Sequence, residues 1–215
     1  MGRPVCVRVV VFMIALAGST PGHAGADAAP AAAGDAIHAD WRAMATQNDR
    51  ERIRGWRDGW TSALDEVAAA GDMPKLAPLG ALMQPDSAMT DPKPPPGDYL
   101  CRTYKLGSQT AGGPAFREAP ASTCRIALEK DVLSFAKLSG VQRPVGFLLP
   151  GDESRMIFLG TMMLGDERRA LDYGSDPERD MAGAFERIGP QRWRLVLPFP
   201  HWESTLDVIE LTPRP

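Results

Sequence analysis

Residues 124–164 read "CRIALEKDVLSFAKLSGVQRPVGFLLPGDESRMIFLGTMML". Short apolar-rich runs alternate with "EKD", "SGVQR" and "PGDES", whose Gly, Asp, Ser and Pro content is that of turns. The spacing predicts strands over 123–129, 131–138, 144–149 and 155–163. The same grammar continues outward, to 98–106 on one side and to 182–188, 191–198 and 204–212 on the other, the middle pair of these split by "GPQ". Mostly short links between neighbouring strands imply an antiparallel meander, and closing such a meander removes its exposed edges.

The expected fold is therefore mainly β with an N-terminal helical segment. Its β domain (98–215) is read as an eight-stranded antiparallel up-and-down barrel, broadly lipocalin-like, with a β-sandwich as the alternative. Ahead of it, "TQNDRERIRGWRDGWTSALDEVAAAG" predicts one amphipathic helix over 46–71. Thr46 is its N-cap, Asp49 stands in the first turn and Gly71 ends it. Ile53, Trp56, Trp60, Leu64 and Val67 recur three and four apart and form a stripe for docking on a core. Gly55 and Gly59 interrupt it at roughly 1 kcal/mol each, which points to close packing there. Residues 72–97 carry seven prolines and read as a semi-rigid connector ending in the extended "PKPPP".

The first 26 residues place Arg3 and Arg8 before an apolar run, Val9 to Ala17, and end in Ala24-Gly25-Ala26. That order is a secretory signal with an A-x-A cleavage site. The run is about half the roughly 20 residues a membrane span needs, so no transmembrane segment is expected after cleavage. Residues 27–45 read as a loose Ala/Pro-rich leader. Loss of Arg3 and Arg8, with no acidic residue before Asp27, takes the formal charge from −3 to −5. A mildly acidic chain has no electrostatic footprint for nucleic acid.

Cleavage also removes Cys6 and leaves Cys101 and Cys124 in an oxidising compartment, where a disulfide is expected. Direct opposition of the two in the first strand pair would bring their Cα atoms about 4.5–5.5 Å apart, within bonding reach. Closing a loop of roughly 22 residues contributes about 3 kcal/mol in the chain-entropy model.

Catalytic signatures are thin. Ser134-Phe-Ala-Lys137 matches S-x-x-K, but residues three apart on a strand point to opposite faces, so Lys137 has no route to Ser134. The S-D-N and K-T-G partners, H-E-x-x-H, paired CxxC, EF-hand and G-x-S-x-G patterns are all missing from the sequence. No catalytic residue, metal ligand or cofactor site is assigned. Lys137, on the same strand face as Leu133 and Phe135, puts a charge into an apolar row. With Gln142 and Arg143 in the next turn, Asp166, Glu167, Arg179 and Asp180 in the long loop "LGDERRALDYGSDPERDMAG", and Glu186 and Arg187 beyond it, it outlines a polar barrel mouth as the candidate ligand site. Function concentrates on such loops.

Together "GDYLCRTYKLG", "CRIALEKDVLSFAKLSGVQRP", "FLGTMMLGDE", "ERIGPQRWRLVLP" and "ESTLDVIEL", with the "RIRGWRDGW" helix, resemble a family of secreted Gram-negative bacterial proteins known as a domain of unknown function. The resemblance spans nearly the whole mature chain. It implies a periplasmic or secreted protein and supplies no reaction, ligand or catalytic residue. Two readings of function follow from the residues: a non-enzymatic binding module for a small molecule, an envelope component or a protein, and a periplasmic hydrolase using carboxylates of the 165–180 loop.

Overall fold

In the computed structural model, which describes residues 40–214, period-two alternation divides each strand between two environments. The signal segment and all but the last six residues of the leader lie outside the described residues. Nine strands follow one another: β1 (Gly97–Leu106), β2 (Phe116–Glu118), β3 (Ser122–Glu129), β4 (Val132–Lys137), β5 (Gln142–Pro150), β6 (Arg155–Leu164), β7 (Asp180–Gly189), β8 (Arg192–Pro198) and β9 (Leu206–Pro213). From β3 to β9 each strand pairs antiparallel with the next, and β9 returns to pair with β1 from Tyr99↔Pro213 to Leu106↔Leu206. The sheet is thus a closed eight-stranded antiparallel barrel with one extra strand, and no sandwich forms.

The extra strand, β2, was hidden in the glycine-bearing loop between the cysteines. It continues the line of β3 along β1. Tyr104 pairs with Glu118 while Cys101 pairs with Ser122, so the β2–β3 side carries one residue more than β1 over this stretch. Ala119 N–H donates to Thr103 O at 2.8 Å inside the irregularity, which is how a bulge bends a strand without ending its ladder.

Cys101 and Cys124 are joined, with Cα atoms 5.8 Å apart. The expected direct opposition is corrected: Cys101 faces Ser122 and Cys124 faces Tyr99. The two cysteines are diagonal neighbours on the inward face, and strand twist carries such diagonals within reach.

Inward residues fill the barrel from its lower end. Phe135 and Phe158 meet edge to face with ring centroids 5.7 Å apart, and Tyr99 and Trp193 do so at 5.9 Å. Phe185, Leu195 and Leu211 pack with them. Eight strands leave an interior just wide enough for side chains, so this end is solid.

The helices cover outward faces. The helix read over 46–71 is two, α2 (Gln47–Arg54) and α3 (Trp56–Ala69), preceded by a short α1 (Trp41–Met44). Gly55 is the joint, at φ −86° and ψ 10°. Thr46 does cap α2, accepting from Asp49 N–H at 3.2 Å. A Cβ on Gly59 would stand 3.0 Å from Pro198 Cβ and 3.4 Å from the Phe199 ring, so the glycine lets α3 approach the end of β8. Trp60, Ala63 and Val67 are fully buried against Tyr104, Val196, Leu206 and Val208. The apolar stripe is a docking face. Residues 40–45, read as the end of the leader, carry α1, whose Trp41 packs with Leu149, Ile157 and Ala182.

The connector is a packed wrap. After α4 (Met73–Leu76), Leu82 and Met83 are buried. Arg194, itself fully buried on the outward face of β8, donates to the carbonyls of Ala81 and Leu82 at 2.9 Å, Gln84 at 2.8 Å and Pro85 at 3.0 Å. Its remaining partner is the Glu186 carboxylate, 2.7 Å away. Breaking a buried pair by removing one member costs about 3–5 kcal/mol. Arg194→Met is expected to lose that much in urea unfolding and to expose the 77–86 segment to limited proteolysis; loss of under about 1 kcal/mol with an unchanged digest would contradict this role.

Candidate functional site

The upper end of the barrel is open. Links 107–115, 138–141, 165–179 and 199–205 all gather there, by the antiparallel order of the strands. Below Lys137, β4 pairs with β3 as far as Cys124↔Lys137, while β2 above it has no β4-side partner. A gap therefore remains between the Ala119–Ser122 bulge and the 139–141 turn. It leads into a cavity of about 620 Å³ lined by both segments and by inward residues of the barrel. Short side chains on the upper inward positions, Thr103, Ser122 and Pro144, leave the space that aromatic rings occupy lower down.

One wall carries an ion-pair cluster. Lys105 and Asp207 oppose each other across the β1–β9 ladder, with Lys105 Nζ 2.9 Å from Asp207 Oδ2 and 3.3 Å from Glu203 Oε2. Ser204 Oγ donates to Asp207 Oδ1 at 2.5 Å. Each carboxylate here has a cation.

Lys137, on the facing wall, is arranged otherwise. It is 8 % exposed, and its Nζ donates to the Gln142 carbonyl at 2.9 Å. Among the described residues no carboxylate lies within ion-pair distance of it. The amine occupies space that only glycine leaves free, since a Cβ on Gly140, at φ +101°, would stand 2.8 Å from Nζ. Burial holds the Lys137 amine below the usual lysine range, the charges of Lys105 and Arg143 push the same way, and Asp207 opposes them. Thr103, 7 % exposed, lines the same cavity, and its Oγ1 has no hydrogen-bond partner among the described residues.

The nine residues singled out from the sequence do not form one cluster. Lys137 and Gln142 line the cavity together. Arg143 points to the outside of the rim, donating to the carbonyls of Gly165 at 2.9 Å and Glu167 at 2.8 Å. Glu167 accepts from Leu164 N–H at 2.9 Å and pairs with Arg179 at 2.5 Å. Those two contacts, the backbone one first, hold its carboxyl below the usual range. Asp166 is exposed on the same loop. Asp180 accepts from Gly174 N–H at 2.9 Å beneath α2, and burial, joined by the charge of Asp49, raises its carboxyl. Glu186 and Arg187 stand at the opposite end. Glu186 lies between Arg155 and Arg194 at 2.5 and 2.7 Å, and Arg187 donates to Thr90 O at 2.6 Å.

Sequence reasoning missed Thr103, Lys105 and Asp207. The signal was available: counting by twos from Cys101 puts Thr103 and Lys105 on the inward face. Ser134, as its strand parity requires, faces away from Lys137 and reaches Ala127 O at 3.5 Å. No group of three His, Cys, Asp or Glu among the described residues is placed to hold a metal ion, and no described helix is long and apolar enough to cross a membrane.

The family model for a domain of unknown function, DUF4893, matches residues 41–211, and the chain belongs to that family. No curated protein and no solved structure matches it.

The depressed Lys137 amine ties stability to pH. Between its folded value and the ordinary lysine value of 10.5, the unfolded chain holds the proton more tightly than the folded one. Folding stability is therefore gained as pH rises through that window. Lys137→Met removes the contribution, so its urea midpoint should exceed that of the wild type at pH 7 and the gap should narrow by pH 10. A gap independent of pH would contradict burial of a charged amine.

Proposed function

We propose that this chain is an exported, non-enzymatic binding protein that takes a small molecule into the open mouth of its barrel. The observation that carries this reading is the cavity of about 620 Å³ lined by two buried polar side chains: Lys137, whose amine meets one backbone carbonyl and no carboxylate, and Thr103, whose hydroxyl has no partner among the described residues. Ligand sites of about 300–1,000 Å³, apolar with a few placed polar groups, are the common form of small-molecule pockets. Here Pro144, Met162 and Ile209 supply the apolar wall.

The hydrolase reading has less support. Of the carboxylates of the 165–180 loop, Glu167 is held by Arg179 and Leu164 N–H and Asp180 by Gly174 N–H, and none of that loop lines the cavity. Export is supported by the basic, apolar and small-residue order of the first 26 residues and by the Cys101–Cys124 bond, which persists in an oxidising compartment.

Two measurements test the proposal. N-terminal sequencing of the protein recovered from a periplasmic fraction should start near Asp27; an intact Met1 in the cytosol would refute export. Mass spectrometry of small molecules retained from a periplasmic extract should find a ligand on the wild type that Ile209→Trp, which fills the mouth, does not retain. Equal recovery on both proteins, or no retained molecule, would refute the site.

A further inference from the structure

We infer that the ligand is an organic anion, a small molecule with an apolar body and a single carboxylate or sulfonate head that pairs with Lys137. The inference rests on the small-molecule reading of the mouth and adds the chemistry of what enters it.

The argument is one of unmatched charge. An ammonium has three donors, and Nζ of Lys137 gives one to Gln142 O. A buried charge is retained where something pairs with it. Within the cavity wall the two carboxylates are taken: Asp207 by Lys105 and Ser204, and Glu203 by Lys105 and Arg117 at 3.3 Å each. The lining holds two cations and two carboxylates, and both carboxylates are bonded to Lys105. Lys137 is the cation left without an ion-pair partner among the described residues, and an anionic head completes it.

Thr103 Oγ1 is a buried donor without a partner among the described residues, and it serves an oxygen of the same head. Of the other polar side chains in the lining, Lys105, Glu203 and Asp207 are paired with one another, and Ser122 Oγ lies 3.2 Å from Cys101 Sγ. Met162, Ile209 and Pro144 suit rings or methylenes. A cationic ligand would meet Lys137 head on.

A matched pair of dyes reads the head group alone. 8-Anilinonaphthalene-1-sulfonate and N-phenyl-1-naphthylamine share their rings and differ by the sulfonate. The full chain after signal removal should bind the sulfonate at one site, at least tenfold more tightly than the neutral amine. Lys137→Met should abolish that preference and leave the neutral dye unchanged, with Lys137→Gln in its place should the methionine variant not fold. Lys130→Met, in the β3–β4 turn at the other end, should alter neither. Equal binding of both dyes to the wild type, or a preference that survives loss of Lys137, would overturn the anion and leave the small-molecule site standing. Failure of both dyes to bind the wild type, or binding that Ile209→Trp leaves intact, would overturn the site itself.

Discussion

A guanidinium buried outside the barrel wall holds the rest of the molecule in its arrangement. Arg194 is fully desolvated, and its donors are satisfied by Glu186 and by four backbone carbonyls from residues 81–85. No other segment supplies those acceptors, so the connector has one path. That path leads into β1 at Gly97 and leaves α3 lying over the same wall, where the Trp60 ring sits 5.1 Å from the guanidinium carbon. Arg155 extends the motif, contacting Glu186 while stacking 4.1 Å from the centre of the Trp56 ring. A buried ion pair adds little net stability compared with an apolar pair of similar volume, yet it is costly to break. Its effect here is to fix one wrapping of a proline-rich segment that has no strong propensity of its own.

The two ends of the barrel use charge in opposite ways. At the lower end every buried charge meets its counter-charge, and aromatic rings close the interior. At the mouth the interior side chains shorten, the bulge at Ala119–Ala121 opens the wall, and Lys137 is left with a carbonyl for company. The same strand alternation produces both results. What differs is the residue size on the inward positions and the lack of a β4 partner beside β2. A cavity with an unmatched cation follows from those two features, and so does the proposed preference for an anion.

Much of this fold was legible in the sequence because strands of period two and turns rich in Gly, Asp and Pro are local signals. Every strand of the closed barrel was anticipated within a few residues. β2 was not, since three residues amid glycines and prolines carry no periodicity. Gly55 is read, with Gly59, as a place of close packing inside one helix, and its role as a joint depends on the contact of α3 with Pro198 and Phe199, which is non-local. The connector was misjudged for the same reason: composition gave a spacer, and only Arg194, over 100 residues later, makes it a wrap. In the site, Lys137 stood out as a charge in an apolar row. Glu186 is drawn to the mouth as an opening residue of its strand, yet the strand opens at Asp180, and six residues at about 3.4 Å each carry Glu186 some 20 Å to the far end.

The most direct test is a crystal structure of the chain from Asp27 onward grown with 8-anilinonaphthalene-1-sulfonate. The sulfonate should lie within hydrogen-bond distance of Lys137 Nζ, with the rings against Met162 and Ile209. A dye bound on the outer surface, with the mouth empty and Lys137 still bonded only to Gln142, would contradict the assignment of this cavity as the site.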